Sequence, residues 1–231
     1  MARPALCSVW LVFLAAVGVA AEPAKAPAAP KLPHLRLDLK TKTVEFDGTF
    51  LVADYPLELL VTQGAMRDYE SIISTPLKPS HLHVALLALG LKPRVRDKED
   101  PGKVLREGDA VDVWLRYAHK GKVVTRRPHE FIVDVNRRKP LERLPWVFYG
   151  SLFFPTGEDK TQLTYLGDAE SWVIGLLGNA PSVVDVGGGV ALEYGMLEID
   201  KKLAPAQGTK TTVIIRPAAA KGGAAGGKKA K

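Results

Sequence analysis

The chain has 231 residues, 46% of them apolar and 25% charged, with a formal net charge of +7. That apolar share excludes a chain disordered throughout, and the confinement of near-spanning apolar sequence to one N-terminal run excludes a polytopic membrane protein. The single cysteine, Cys7, excludes a disulfide scaffold and any cysteine-ligated zinc or iron–sulfur site.

Arg3, the apolar run from Val9 to Val19 and the small residues of Val19-Ala20-Ala21 predict a secretory signal peptide over residues 1–21, with Glu22 opening the mature chain. The alternative is an uncleaved anchor, for which the run is short against the roughly 20 apolar residues a bilayer needs. Cleavage would remove Cys7, so the exported chain, periplasmic or extracellular, is expected to be cysteine-free and to rest on its core alone. Residues 22–33 (EPAKAPAAPKLP) read as a Pro/Ala linker. Residues 34–217 read as one globular domain, and 218–231 (AAAKGGAAGGKKAK) as a disordered tail without large apolar side chains. Lys221, Lys228, Lys229 and Lys231 give that tail +4, which leaves the domain near +1. The basic balance therefore belongs to the ends, and specific nucleic-acid binding, which calls for a basic stripe on the domain, is not expected.

Within the domain, Leu35, Leu37 and Leu39 alternate with Arg36, Asp38 and Lys40, and Val44 and Phe46 with Glu45 and Asp47. This period of two predicts strands joined at Lys40-Thr41-Lys42. Leu57 to Val61 and Ile72-Ile73 extend the set. Pro79 to Leu89 reads as the one convincing helix, with Leu82, Ala85, Leu86 and Leu89 on one face, Pro79 in its first turn and Gly90 as its stop. Further strands are predicted at Val111 to Tyr117, Val123 to Thr125 beyond the Lys120-Gly121 turn, Phe131 to Val135, Trp146 to Phe154, Tyr165, Ser171 to Ile174 and Thr211 to Ile215. Gly187 to Gly189 reads as a loop. Strands around one helix predict an α+β fold, a single mostly antiparallel β domain with one main helix packed on the sheet.

Six segments occur in an order that resembles the YdjY-like family of bacterial exported domains: PLELL (from Pro56), YESII (from Tyr69), HVALLALGLKP (from His83), PWVFYGSLFF (from Pro145), SWVIGLLGNAPSVVDV (from Ser171) and PAQGTKTTVIIRP (from Pro205). The resemblance covers roughly residues 35–217 and implies no settled activity. Some members of the family are described as ferredoxin-like iron–sulfur proteins, a role the missing cysteines exclude for this chain. Where the family often has His-Glu-Ser, this chain has Tyr69-Glu70-Ser71.

The candidate ligand-binding residues are Glu58, Glu70, His83 and Trp114. Two carboxylates beside a histidine could do general acid–base work if burial pulled their pKa values apart. The structural alternative leaves Glu58 in solvent and His83 as a boundary residue bonded to a neighbouring strand. His81 and His83 form an H-x-H pair, but on a helix they point about 200° apart, so no metal site is expected and His81 should be solvated. Trp114 falls on the polar face of its strand, where an aromatic ring stacks a sugar or a partner's side chain, or packs as core with Trp146 and Trp172. Ser171 lacks the G-x-S-x-G elbow and Gly187 to Gly189 lack a phosphate-loop lysine, so both read as structural. No catalytic residue and no cofactor is assigned. The reading is an exported, non-catalytic binding or structural module of the cell envelope, its partner an envelope protein, polymer or small ligand. The alternative is an extracytoplasmic hydrolase-type enzyme using Glu70 and His83.

Overall fold

The structure is a computed structural model describing residues 32–51, 55–100, 102–136, 139–158, 160–179, 181–187 and 192–219. The signal-peptide reading of 1–21, the linker up to residue 31, Gly188-Gly189 and the tail from residue 220 lie outside the described residues.

Eight strands form the body: β1 (Thr43–Phe50), β2 (Leu59–Gln63), β3 (Ser71–Thr75), β4 (Ala110–His119), β5 (Trp146–Phe148), β6 (Trp172–Gly175), β7 (Val184–Val186) and β8 (Lys210–Pro217). Their hydrogen-bonded order is β1-β8-β4-β5-β7-β6-β2-β3, and β3 pairs back onto β1, which closes a barrel. Two of the contacts, β2 with β3 and β6 with β7, are parallel, and the others are antiparallel. The alternation seen in the sequence points one set of side chains inward. Val44, Ile215 and Val113 lie in register across β1, β8 and β4, followed by Phe46, Val213 and Leu115, all fully buried.

The α+β expectation is therefore corrected. Strands make up 43% of the molecule and helical segments 13%, and the sheet closes on itself instead of leaving one face for a helix to cover. The physical reason is that period-two alternation identifies a buried face but not the strand that pairs at each edge, so an open sheet and a barrel read alike.

Two of the three longest strands, β1 and β4, fork. The first half of β1 pairs with Leu35–Asp38, and its last residues, Thr49 and Phe50, pair with Ser74 and Ile73 of β3. The first residues of β4 pair with β5, while Leu115 to His119 pair with Lys122–Arg126 across a Lys120-Gly121 turn. Both turn residues have positive φ, 48° and 75°, as a two-residue hairpin demands. Helix α1 (Pro79–Ala88) touches Leu35–Asp38 and β6, and buries Leu82, Ala85 and Leu86 in the common core. Pro79 occupies its first turn, and the Ser80 N–H and hydroxyl both donate to Asp168, at 2.8 and 2.6 Å. The other fork is filled by a 3-10 turn, Pro128–Phe131, whose Phe131 ring meets Phe50 and Tyr117 edge-on.

The predicted strand Trp146 to Phe154 is broken at Gly150 and Ser151, both at positive φ. Beyond the break, Phe153–Thr156 leaves the barrel and pairs with Gln162–Tyr165 as a ribbon. The predicted strand from Phe131 to Val135 is likewise divided between the 3-10 turn and Ile132–Asp134, which joins a separate small sheet with Lys139–Pro140 and Leu197–Ile199.

Closure depends on Gly48, where a Cβ would stand 2.5 Å from Ile73 Cγ2 and 3.1 Å from the Ser74 carbonyl oxygen. Gly48→Ala should lower stability by about 1–3 kcal/mol, the cost of overpacking a closed seam. Leu86→Ala should cost about 2–5 kcal/mol as a core truncation, and Leu87→Ala, on the exposed side of the same helix, under about 0.5 kcal/mol. Urea melts of the three variants test the arrangement, and a silent Leu86→Ala would mean that α1 does not complete the core.

Candidate functional site

Glu58 and Glu70 come together at the rim formed by the segment before β2 and the 3-10 turn Asp68–Glu70. The Glu58 N–H donates to the Glu70 carbonyl at 3.1 Å, and the Leu176 N–H donates to the Glu58 carbonyl at 2.9 Å. The Glu70 carboxylate is buried and paired with Arg67 at 2.9 Å. Arg67 also donates to Glu170 Oε2 at 2.9 Å and to the Glu170 carbonyl at 3.2 Å, and its guanidinium lies 5.2 Å above the buried Trp172 ring. The Trp172 indole N–H finds no acceptor among the described residues.

Glu58 is half-buried, not left in solvent as the structural alternative has it. Burial, and then the Glu70 charge, push its carboxyl above the ordinary range against the opposing pull of Arg67. No hydrogen bond or ion pair to its side chain exists among the described residues. Tyr69 lies within the field of both carboxylates, chiefly that of Glu70, which raises its phenol. Its ring stands 5.8 Å from Tyr55 at 85°, and the two rings are 47% and 60% exposed.

His83 does not join the carboxylates. Its Nδ1 lies 2.8 Å from Tyr165 Oη, and that hydroxyl donates to the Gly150 carbonyl at 3.0 Å. With the hydroxyl proton so engaged, Nδ1–H is the donor to Tyr165, a tautomer assigned from the network. Phe148 and Tyr165 pack edge-on against the imidazole, and burial lowers its pKa against the raising effect of the Gly150 carbonyl. His81, expected to be solvated, is half-buried, and its Nδ1 is enclosed without a partner among the described residues. The helix turns the two imidazoles apart, and the described residues contain no group of three or more His, Cys, Asp or Glu that could hold a metal.

Trp114 lies on the outer face of β4, half-buried, and the Arg127 guanidinium stacks on it at 3.5 Å. Asp112 fixes that guanidinium at 2.6 Å and receives Arg143 at the same distance. One face of the indole is thus occupied by the chain's own cation. Trp146 and Trp172 are core residues. Ser171 takes the left-handed conformation that ends a short helix, Leu166–Glu170, which periodicity could not reveal in five residues. A recess of about 790 Å³ lies between Leu91, Val111, Leu144, Trp146 and Pro217. None of the four candidate residues lines it.

One ionisable residue escaped the sequence reading. Asp185 is fully buried in β7 and accepts hydrogen bonds from the backbone N–H groups of Gly178, Asn179 and Val186, at 2.8, 3.1 and 2.7 Å. Gly175 makes room for it, since a Cβ there would stand 1.9 Å from Asp185 Oδ2. The available signal was an acid inside the apolar run Val183-Val184-Asp185-Val186, which a strand buried on both faces hides from an alternation test. Burial raises its pKa to about 6, although Ser182 and the three amides pull it down.

A folded-state pKa above the unfolded value means that the native protein holds this proton more tightly. The stability it contributes is full below about pH 4, declines as pH rises through about 6, and stays lost above. The amount is on the order of 3 kcal/mol. Asp185→Asn removes the titration, so the stability difference between variant and wild type should shift by that amount between pH 4 and pH 7 in urea melts. A difference that does not vary with pH would show that Asp185 titrates as an ordinary carboxylate.

The segments that carry the family resemblance are the parts that build this geometry. HVALLALGLKP contains most of α1, PWVFYGSLFF holds β5 and the break at Gly150, SWVIGLLGNAPSVVDV runs from β6 through the Asp185 loop to β7, and PAQGTKTTVIIRP contains β8. A family model described as the YdjY domain matches residues 35–216, from the strand paired onto β1 to the end of β8. No curated protein and no solved structure gives a match. With the match spanning the whole barrel, the chain belongs to the YdjY domain family.

Proposed function

We propose that the chain is an exported, non-catalytic binding module of the cell envelope that takes its ligand on the rim carrying Tyr55, Glu58 and Tyr69. The observation that carries this reading is the Glu58 carboxylate, half-buried and without a hydrogen-bond or ion-pair partner among the described residues, with the exposed Tyr69 in its field and the exposed Tyr55 ring packed on Tyr69. Buried carboxylates are ordinarily paired, and exposed aromatic rings are common anchors in recognition. The hydrolase reading needs His83 within reach of Glu70, and His83 shares no hydrogen bond, ion pair or ring contact with either glutamate. Export is supported by Arg3, the run Val9 to Val19 and the Val19-Ala20-Ala21 site. Among the described residues, no helix is long and apolar enough to cross a membrane.

Fractionation of the native host with intact-mass analysis should find the chain outside the cytoplasm, beginning at Glu22. A panel of ester, amide, phosphoester and glycoside substrates should show turnover no higher with wild type than with His83→Ala or Glu70→Gln. Cytoplasmic protein retaining Met1 would overturn the export reading, and turnover abolished by both substitutions would establish the hydrolase in its place.

A further inference from the structure

We infer that the rim formed by Tyr55, Tyr69 and Glu58 recognises a compact organic cation, the ammonium or guanidinium group of a basic side chain or of a free amine. The inference rests on the binding reading above and supplies its ligand chemistry. Glu58, Glu70 and Glu170 place three carboxylates around the one guanidinium of Arg67, and Arg67 bonds to Glu70 and Glu170. The carboxylate left without a hydrogen bond or ion pair is that of Glu58, which feels Arg67 only at a distance; it is held partly out of water, where a cation within a few ångströms gains more than it would in bulk solvent. Tyr69 lies within the field of that carboxylate, and its exposed ring forms a corner with Tyr55 at 85°. A carboxylate with an aromatic face is an established pairing for ammonium and guanidinium groups. The molecule uses it internally, where Arg67 lies between Glu70 and Glu170 over Trp172.

The geometry disfavours two other ligand classes. Perpendicular rings cannot both stack on one face of a sugar ring, so the corner is no flat platform for a glycan. A hard divalent metal needs a set of oxygen ligands, and here Glu70 is committed to Arg67 and no metal-holding group exists among the described residues.

The test is titration of the full chain, followed by calorimetry or NMR, with Nα-acetyl-lysinamide, its Nε-acetylated derivative and 1,5-diaminopentane. Acetylation removes the charge and keeps the stem. The expected result is saturable binding of Nα-acetyl-lysinamide, at least tenfold weaker for Glu58→Gln and for Tyr69→Ala, with the acetylated probe failing to bind. Tyr69→Phe, which keeps the ring, should retain binding, and Glu58→Gln decides the matter if Tyr69→Ala does not fold. Tighter binding of the diamine assigns the site to free amines, and tighter binding of the lysinamide to basic groups carried on a chain. Binding should also weaken as acid protonates Glu58, whose charged and titratable neighbours are Glu70, Arg67 and Tyr69. Equal affinity of the two lysine probes, or an unchanged affinity in Glu58→Gln, would overturn the inference. Binding of N-acetylglucosamine that depends on Tyr55 but not on Glu58 would overturn the cation and leave the binding module standing.

Discussion

The structure depends on β1 pairing along both edges at once. One edge is taken by β8 over six residues. The other is divided between Leu35–Asp38 and Ile73 and Ser74 of β3. A strand so placed has no free ladder of N–H and C=O groups, and the row Val44, Phe46 and Phe50 is sealed inside. The dividing point is where Gly48 lets Ile73 approach the backbone and where the Thr75 hydroxyl donates to the Asp47 carbonyl at 2.7 Å. A side chain at position 48 would push β3 outward and open the barrel at an antiparallel seam only two residue pairs long. The helix and the Pro128–Phe131 turn then occupy the forks that the long strands leave, which is why both contribute to the same core.

A closed apolar interior determines where charge can go. On the outer wall, Arg36, Glu45, Asp47 and Arg116 run across neighbouring strands as a ladder of ion pairs in contact with water, each contributing little alone. Carboxylates carried inward are handled differently. Asp185 takes two backbone amides in the loop after β6 and that of Val186 in β7, near where β6 and β7 pair at Ile174 and Val184. Its hydrogen bonds hold together a region where the regular ladder is short. Glu70 takes a guanidinium instead. Glu58 has neither arrangement, and this separates it from the other buried acids.

Local chemistry was legible in the sequence. The Lys120-Gly121 turn, the limits of α1 and the inward rows of β1, β4 and β8 all follow from residues within a few positions of each other, and the family membership follows from the order of six such segments. Three things were not. Barrel closure is a choice of partner between Phe50 and Ile73, about twenty residues apart, and alternation carries no information on it. The burial of His81 depends on what lies beyond the far side of α1. The two carboxylates were named from the sequence, but their meeting depends on β2 and β3 pairing in parallel, with Leu59 opposite Ser71, and a parallel register leaves no mark on the residues between.

The placement of Glu58 shows how the rim is built. Alternation with Leu57 and Leu59 would turn it outward, but β2 begins at Leu59, and Glu58 lies in the segment before it, where strand parity does not apply. The 3-10 turn Asp68–Glu70 supplies the other half. Three residues per turn throw consecutive side chains about 120° apart, so Tyr69 is carried into solvent while Glu70 is carried inward to Arg67. The parallel pairing of β3 beside β2 then lays this turn against Glu58, whose N–H is claimed by the Glu70 carbonyl. Backbone bonds thus fix the spacing of the two glutamates, and the turn's pitch sends the Tyr69 ring to the exposed side. The carboxylate and the aromatic corner are placed by main-chain geometry and not by each other, so a change to either side chain alters the chemistry of the rim while leaving its frame in place.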